Sequence, residues 1–128
     1  MSTDGTRLSP HFLLREFACP CGCVTTPMAV EALTALCIHV LEPLRADVGV
    51  ALHIHSGYRC LAYNRKCGGA KNSQHMLGTA ADVRCERPHE VTYAAAKRIQ
   101  TRRGRGGVGK YDRFTHVDNR KGKASWQG

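Results

Sequence analysis

The sequence lacks a long hydrophobic run. No stretch of 18 residues is apolar enough to suggest a membrane span. Residues 1–12 lack the apolar segment of a signal peptide, and internal repeats and low-complexity linkers are missing. A chain of 128 residues is long enough to bury one core. We therefore expect a single domain over residues 1–128, made in the cytoplasm and without a membrane span.

Acidic and aromatic residues are also scarce. Ten acidic residues stand against 19 basic ones, which gives a net charge of +9, and aromatic residues make up 6% of the chain. Such a charge attracts anionic polymers. The basic residues concentrate in KRIQTRRGRGGVGK and NRKGK, where Tyr111 at the end of the first run is the only aromatic residue. Single-strand binding platforms interleave aromatic residues with the charge, so we expect a solvated basic face and no nucleic acid.

Seven cysteines are an odd number, so at least one thiol stays unpaired. Cys19, Cys21 and Cys23 crowd into CPCGC, with gaps unlike the usual C-x2-C of structural zinc sites. This spacing favours free or buried thiols over a structural zinc ion. Cys60 and Cys67 flank a short segment and could pair, but a cytoplasmic origin argues against a disulfide.

The apolar periodicity predicts an α+β fold, with a small antiparallel sheet flanked by helices. A first helix begins at Thr26-Pro27, is interrupted near Pro43 and ends at Gly49. ALHIHS alternates as a half-buried strand. The other predicted elements are a short helix at 62–66, a strand at 79–84, a helix at 88–103 that buries Val91, Ala95 and Ile99, and the strands GGVGKY and FTHVD joined by a turn at Asp112-Arg113.

SQHMLGTAADVR contains the first candidate metal ligands, His75 and Asp82, separated by a turn at Gly78. His116 is the best third ligand, because Asp118 lies on the same face of its strand and suits a general base. A strand-entry histidine and a solvated hairpin aspartate explain the same residues equally well. His53 and His55 form a rival pair, for which a solvent-facing strand edge is favoured. The three remaining histidines are expected at the surface or on helices: His11, His39 and His89.

Three motifs in order resemble the zinc D-alanyl-D-alanine peptidase family, which shares its fold with the hedgehog signalling domain. SQHMLGTAADV matches S-x-H-x-x-G-x-A-x-D, FTHVD matches F-x-H-x-D, and SGYRCLAYN resembles the segment that precedes them. LSPHFLLREFACPCGC and the closing Trp126 resemble a branch found in phage and bacterial wall peptidases. The resemblance covers nearly the whole chain.

The resemblance implies that His75, Asp82 and His116 hold Zn²⁺. Arg59 matches the family arginine that orients the substrate. Ser73 and Gln74 would contact the substrate or support the metal ligands. For Gln74, a solvated side chain in a loop is an equally good interpretation. Some relatives place the catalytic carboxylate three residues before the second histidine, where this chain has Arg113. Asp118 is therefore the predicted base and Asp112 the fallback, although in other branches the carboxylate at the Asp118 position orients the histidine.

The function implied is a peptidase that cuts peptidoglycan peptides, as a monomer, with a phage lysis enzyme as the leading context. Without a signal peptide, it would reach the wall in the periplasm or outside the cell through a holin or a virion. Carboxypeptidase and endopeptidase activities both remain open. The alternative is a wall-binding module of the same fold whose zinc is structural. A charge-driven nucleic-acid binder would leave His75, Asp82 and His116 without a role.

Overall fold

The computed structural model describes residues 5–128, so the first four positions of the predicted domain lie outside the described residues. Strands β1 (Arg7–Ser9) and β2 (Phe12–Leu13) form an N-terminal hairpin, followed by a 3-10 turn at Leu14–Phe17. The helices are α1 (Pro27–Leu36), α2 (Glu42–Val48), α3 (Leu61–Lys66) and α4 (His89–Arg103). The remaining strands are β3 (His53–Ser56), β4 (Ala80–Arg84), β5 (Gly106–Lys110), β6 (Thr115–Asp118) and β7 (Lys123–Gln127).

Helices α1 and α2 form one long core helix. The Thr26 hydroxyl caps its start by accepting the Ala29 N–H at 3.2 Å, and Gly49 ends it with φ 76°. The predicted interruption near Pro43 takes the form of a π-helical turn at Cys37–Leu41, just before the proline. Such a turn loosens the hydrogen-bond ladder where proline supplies no N–H.

The 22 residues Pro27–Val48 are long and apolar enough to cross a membrane, which differs from the expectation that no such stretch exists. Length and composition are weak evidence, because the core helix of a globular domain passes the same test. Five of its apolar side chains are fully buried in the hydrophobic core, namely Leu33, Leu36, Val40, Leu41 and Leu44, whereas Ile38 is 51% exposed.

The main sheet has five strands in the order β3-β4-β6-β5-β7. The first four pair antiparallel, which confirms the predicted α+β class and its antiparallel sheet. Strand β7 adds a parallel edge that the sequence analysis did not predict. The register places Asp82 opposite His116, so these two polar residues meet on adjacent strands, and it places Asp118 opposite Ala80.

Helix α4 covers one face of the sheet. Ala95 and Ile99 enter the same core cluster as Val117 of β6. Val91 is 45% exposed, contrary to its predicted place on the buried side. The buried stripe of α4 consists of Thr92, Ala95, Ala96, Ile99 and Gln100, so Val91 lies beside it. The basic residues Lys97, Arg98 and Arg102 face solvent.

Gly78 makes the turn that leads into β4, as predicted. Its φ is 77°, and it ends the 3-10 turn Gln74–Leu77 that carries His75. A Cβ at this position would lie 2.7 Å from the Ala29 carbonyl oxygen. Glycine therefore satisfies both the left-handed backbone and the close approach of α1.

Candidate metal centre

Three side chains from separate elements converge beside the sheet. His75 comes from the 3-10 turn, Asp82 from β4 and His116 from β6, and their side chains are all buried. The His75 Nε2 lies 3.3 Å from Asp82 Oδ1, and the His116 Nδ1 lies 3.0 Å from the same oxygen. The candidate ligand atoms all lie within 4.8 Å of one another. The structure thus brings together the three residues that the sequence singled out.

The hydrogen bonds of the two imidazoles orient them for a metal ion. His75 Nδ1 lies 2.7 Å from the Gly57 carbonyl oxygen, which only accepts, so Nδ1 carries the proton and Nε2 keeps its lone pair. His116 Nε2 lies 2.8 Å from Asp118 Oδ2, which leaves Nδ1 facing Asp82. Two imidazole nitrogens and one carboxylate form a donor set that Zn²⁺ accepts, and carbonyl and carboxylate partners behind such histidines are typical of metal sites.

Asp118 is fully buried beneath His116. Besides His116, its carboxylate accepts the Arg120 Nε at 2.8 Å, the Arg120 Nη2 at 2.7 Å and the Gly107 N–H at 2.9 Å. Burial raises the pKa of Asp118, but the bonds from His116 and Arg120 outweigh it and hold that pKa below its ordinary value. This environment fixes the carboxylate as an anion that orients a neighbouring imidazole. Its role as general base stays a prediction.

The electrostatics of the centre favour a cation. Burial raises the pKa of Asp82, but hydrogen bonds from His116 and His75 outweigh it and lower that pKa below its ordinary value. Burial lowers the pKa of His116, but Asp118 and Asp82 outweigh it and raise that pKa. Two carboxylates thus surround His116 with negative charge, which a bound metal ion would neutralise.

Arg59 lies next to the centre. Its Nη2 donates to Asp82 Oδ2 at 3.4 Å, its Nε to Ser56 Oγ at 3.2 Å and its Nη1 to Asn64 Oδ1 at 3.4 Å. A guanidinium has five N–H groups, so these three bonds leave donors for a further acceptor. The residue is held in place and still able to bind an anion.

Ser73 and Gln74 line the same cleft, but their side chains have structural partners. The Ser73 hydroxyl accepts the His75 N–H at 3.1 Å and so helps to position this candidate metal ligand. The Gln74 amide oxygen accepts the Thr79 hydroxyl at 2.8 Å. Their predicted contacts with substrate stay predictions.

A cleft of about 690 Å³ opens at the centre. One wall is aromatic: the Trp126 indole lies 5.1 Å from the His116 ring and donates to the Tyr111 hydroxyl at 2.7 Å. Trp126 reaches this position because its neighbour across the strands is Gly109, where a Cβ would lie 2.5 Å from the indole Nε1. This aromatic wall was not predicted from the sequence, although the alternation in KASWQ is a weak signal of the edge strand.

His55 also lines the cleft, with its ring stacked 5.1 Å from that of Phe114. Its side chain is exposed, as expected for a strand edge, but the solvent that it contacts is that of the cleft beside the metal centre. Asp112, the fallback base, is exposed and is not among the residues that line this cleft. His11 and His39 are exposed, as predicted for surface residues.

Two imidazoles and one carboxylate at the floor of an open cleft define a centre of the zinc hydrolase type. The sequence pattern of the Peptidase M15 family matches residues 10–118. The chain therefore belongs to this family of zinc-dependent metallopeptidases of the D-alanyl-D-alanine peptidase type. No curated protein matches the chain.

Proposed function

We propose that the chain is a zinc peptidase that cleaves the stem or cross-link peptides of bacterial peptidoglycan. Membership of the Peptidase M15 family supports a metallopeptidase. The observation that carries the substrate proposal is Arg59, which lies against Asp82 of the metal centre and has N–H groups left for a further acceptor. Stem peptides are short and rich in carboxylates, and a guanidinium fork suits a carboxylate.

His75, Asp82 and His116 would hold the metal ion. Zinc bound there supplies a Lewis acid that polarises a carbonyl group. Arg59 binds a substrate carboxylate and so places a peptide bond beside the centre. The aromatic wall of Trp126 and Tyr111 offers an apolar surface against which the peptide packs.

Asp118 orients His116 in this proposal. Its carboxylate is fully buried and is bonded to Arg120 and Gly107 as well as to His116, which disfavours proton exchange with a substrate. His55 is the candidate proton acceptor, because its imidazole lines the cleft and an unprotonated ring nitrogen can accept a proton. Replacement of His55 by Gln should reduce kcat and leave zinc content unchanged.

The wall as site of action is part of the same proposal. The exposed basic residues of α4 and the net charge of +9 would hold the protein near anionic wall polymers. We propose that it acts in the periplasm or outside the cell, reached through a holin or a virion, as expected of a phage lysis enzyme.

The test is incubation of the zinc-loaded protein with purified peptidoglycan and identification of the released fragments by mass. Arg59→Lys keeps the charge but loses the fork, so we expect a KM at least about tenfold higher. Arg65→Lys, at an exposed position of α3, is the matched control and should behave as wild type.

The same assay distinguishes a peptidase from the alternative, a wall-binding module. A protein that binds zinc and sediments with peptidoglycan but releases no fragment would be a wall-binding module. Release of fragments that persists in His75→Ala would contradict the assignment of the metal centre.

A further inference from the structure

Four cysteine thiols converge at a second place in the fold. Cys19, Cys21 and Cys23 follow the 3-10 turn at Leu14–Phe17, and Cys60 precedes α3. Their sulfur atoms all lie within 4.8 Å of one another. All seven cysteines of the chain are free thiols, and the other three lie outside this cluster. The four residues are called the cysteine cluster below.

The three distances among the sulfur atoms of Cys19, Cys21 and Cys60 are close to the edges of a tetrahedron around a metal ion, and the Cys23 sulfur lies within 4.8 Å of each of them. The Sγ atoms of Cys19 and Cys21 are 3.4 Å apart, those of Cys21 and Cys60 3.6 Å, and those of Cys19 and Cys60 3.8 Å. A Zn–S bond of about 2.3 Å in tetrahedral geometry places sulfur atoms roughly 3.8 Å apart. A disulfide would use two of the four thiols, whereas a metal ion uses all of them.

The backbone around the cluster supports thiolates. The Cys60 N–H donates to Cys19 Sγ at 3.5 Å, and the Tyr63 N–H donates to Cys60 Sγ at 3.4 Å. Gly22 has φ 86° and donates to the Cys19 carbonyl oxygen at 3.0 Å, which closes a turn within CPCGC. This turn brings three closely spaced cysteines to one side, so the one-residue gaps do not exclude a metal site.

We propose that the cysteine cluster binds a structural zinc ion, separate from the His75, Asp82 and His116 centre. Four thiolates are the ligands of closed, structural zinc sites. Binding deprotonates the thiols and releases their protons to solvent. The cysteines of CPCGC are free thiols, as expected. The proposal adds a metal ion to them, because a fourth thiol comes from Cys60, far away in the sequence.

The second ion would hold the N-terminal segment against the segment that serves the first centre. Cys60 directly follows Arg59, and Gly57 supplies the carbonyl that orients His75. Between them, the Tyr58 N–H donates to the Phe17 carbonyl oxygen at 2.9 Å. Pro20, inside CPCGC, lines the catalytic cleft. The inference does not depend on which peptide the enzyme cuts.

Metal content is the primary test. The protein is purified under reducing conditions with zinc present, and bound zinc is counted by elemental analysis. We expect two ions in wild type, one in Cys21→Ser and one in His75→Ala. Cys21 is exposed, so serine there should not disturb folding. Cys67→Ser is the matched control, because Cys67 is exposed and outside the cluster, and it should retain two ions.

Cobalt distinguishes the two sites by their ligands. Co²⁺ bound by thiolates gives a sulfur-to-metal charge-transfer band, whereas imidazole and carboxylate ligands do not. We expect this band in wild type and in His75→Ala, and its loss in Cys21→Ser. A chelator should lower the Tm of His75→Ala far more than that of Cys21→Ser/His75→Ala.

Several results would overturn the inference. One is a wild-type protein with a single zinc that disappears in His75→Ala. Another is a cobalt spectrum without the charge-transfer band. A third is a disulfide among the four cysteines in freshly isolated protein, detected by the mass of the intact protein before any reductant is added. If the His75, Asp82 and His116 centre does not bind zinc but the cysteine cluster does, wild type would carry one zinc ion that is lost in Cys21→Ser. That result would contradict the proposed function and support the cysteine cluster as a zinc site.

Discussion

Replacement of Asp118 by Asn tests whether this residue orients His116 or acts as the general base. Asparagine keeps the shape of the side chain but removes its charge and exchanges one acceptor oxygen for an NH2 donor. In the structure both carboxylate oxygens accept bonds, from His116 and Arg120 on one and from Arg120 and Gly107 on the other. The NH2 group would therefore face a donor wherever it points.

The cost in stability follows from the burial of this pair. Removing one partner of a buried ion pair costs about 3–5 kcal/mol. The Asp118 side chain is 0% exposed, whereas that of Arg120 is 33% exposed and can turn toward water. The lower end of the range therefore applies, and we expect Asp118→Asn to reduce the free energy of unfolding by about 3 kcal/mol.

The effect on zinc distinguishes orientation from base catalysis. Loss of a carboxylate that orients a metal-binding histidine weakens metal binding by about 10–100-fold. Loss of a general base lowers kcat by about 10²–10⁴-fold and leaves metal affinity as it was. We expect weaker zinc binding, as for an orienting carboxylate. At saturating zinc, kcat should fall by less than about tenfold, because His116 keeps the ring nitrogen that would bind the metal ion.

The assay is a zinc competition titration against a chromophoric chelator, followed by peptidoglycan hydrolysis at saturating zinc. The titration uses the Cys21→Ser background, so that one zinc site is measured. Asp112→Asn is the control, because Asp112 is exposed and outside the cleft, and it should match wild type in both measurements. A zinc Kd equal to wild type with kcat reduced more than a hundredfold would refute the orienting role and identify Asp118 as the base.

Two further predictions concern stability. Gly78→Ala should lower the free energy of unfolding in urea by about 2–4 kcal/mol, because its Cβ would lie 2.7 Å from the Ala29 carbonyl oxygen. Gly68→Ala is the control: its φ is also positive, at 71°, but the space around it is open, so it should cost only about 1–2 kcal/mol. Equal losses in the two variants would contradict the packing argument. Burial raises the pKa of Glu42, but hydrogen bonds from Ser9 and His11 outweigh it and lower that pKa overall. The Glu42 carboxylate therefore stabilises the folded state above about pH 4.3, and this contribution is lost as the pH falls below that value. Glu42→Gln should therefore be less stable than wild type near neutral pH and approach it near about pH 3, with exposed Glu31→Gln as the control; a gap that does not shrink in acid would be inconsistent with this carboxylate acting as an anion.

The grouping of His75, Asp82 and His116 could be proposed from the sequence because these residues lie in local patterns that also resemble family motifs. His75 and Asp82 flank a turn that Gly78 permits, and the alternation of β6 puts His116 and Asp118 on one face. What the sequence did not contain is the register that sets Asp82 opposite His116. Register depends on pairing between strands far apart in the chain, so the convergence of the three ligands needed the fold.

The parts that sequence reasoning missed depend on packing between distant segments. Cys60 joins the cysteine cluster because β3 ends against the 3-10 turn at Leu14–Phe17, which no local spacing encodes. Trp126 reaches the cleft from a short edge strand with alternating exposure. Edge strands of this kind carry a weak hydrophobic signal, because only one side of each is covered.

Residues 56–60 connect the two proposed zinc sites physically. Ser56 and Arg59 lie in the cleft, Gly57 orients His75, and Cys60 belongs to the cysteine cluster. Gly57 itself cannot carry a side chain, since a Cβ would lie 2.6 Å from the Phe17 Cα. This contact presses the segment against the N-terminal part of the chain, where the other three cysteines follow. Loss of the metal ion from the cysteine cluster should therefore displace the Gly57 carbonyl and change the orientation of His75, although no residue of the His75, Asp82 and His116 centre has been substituted.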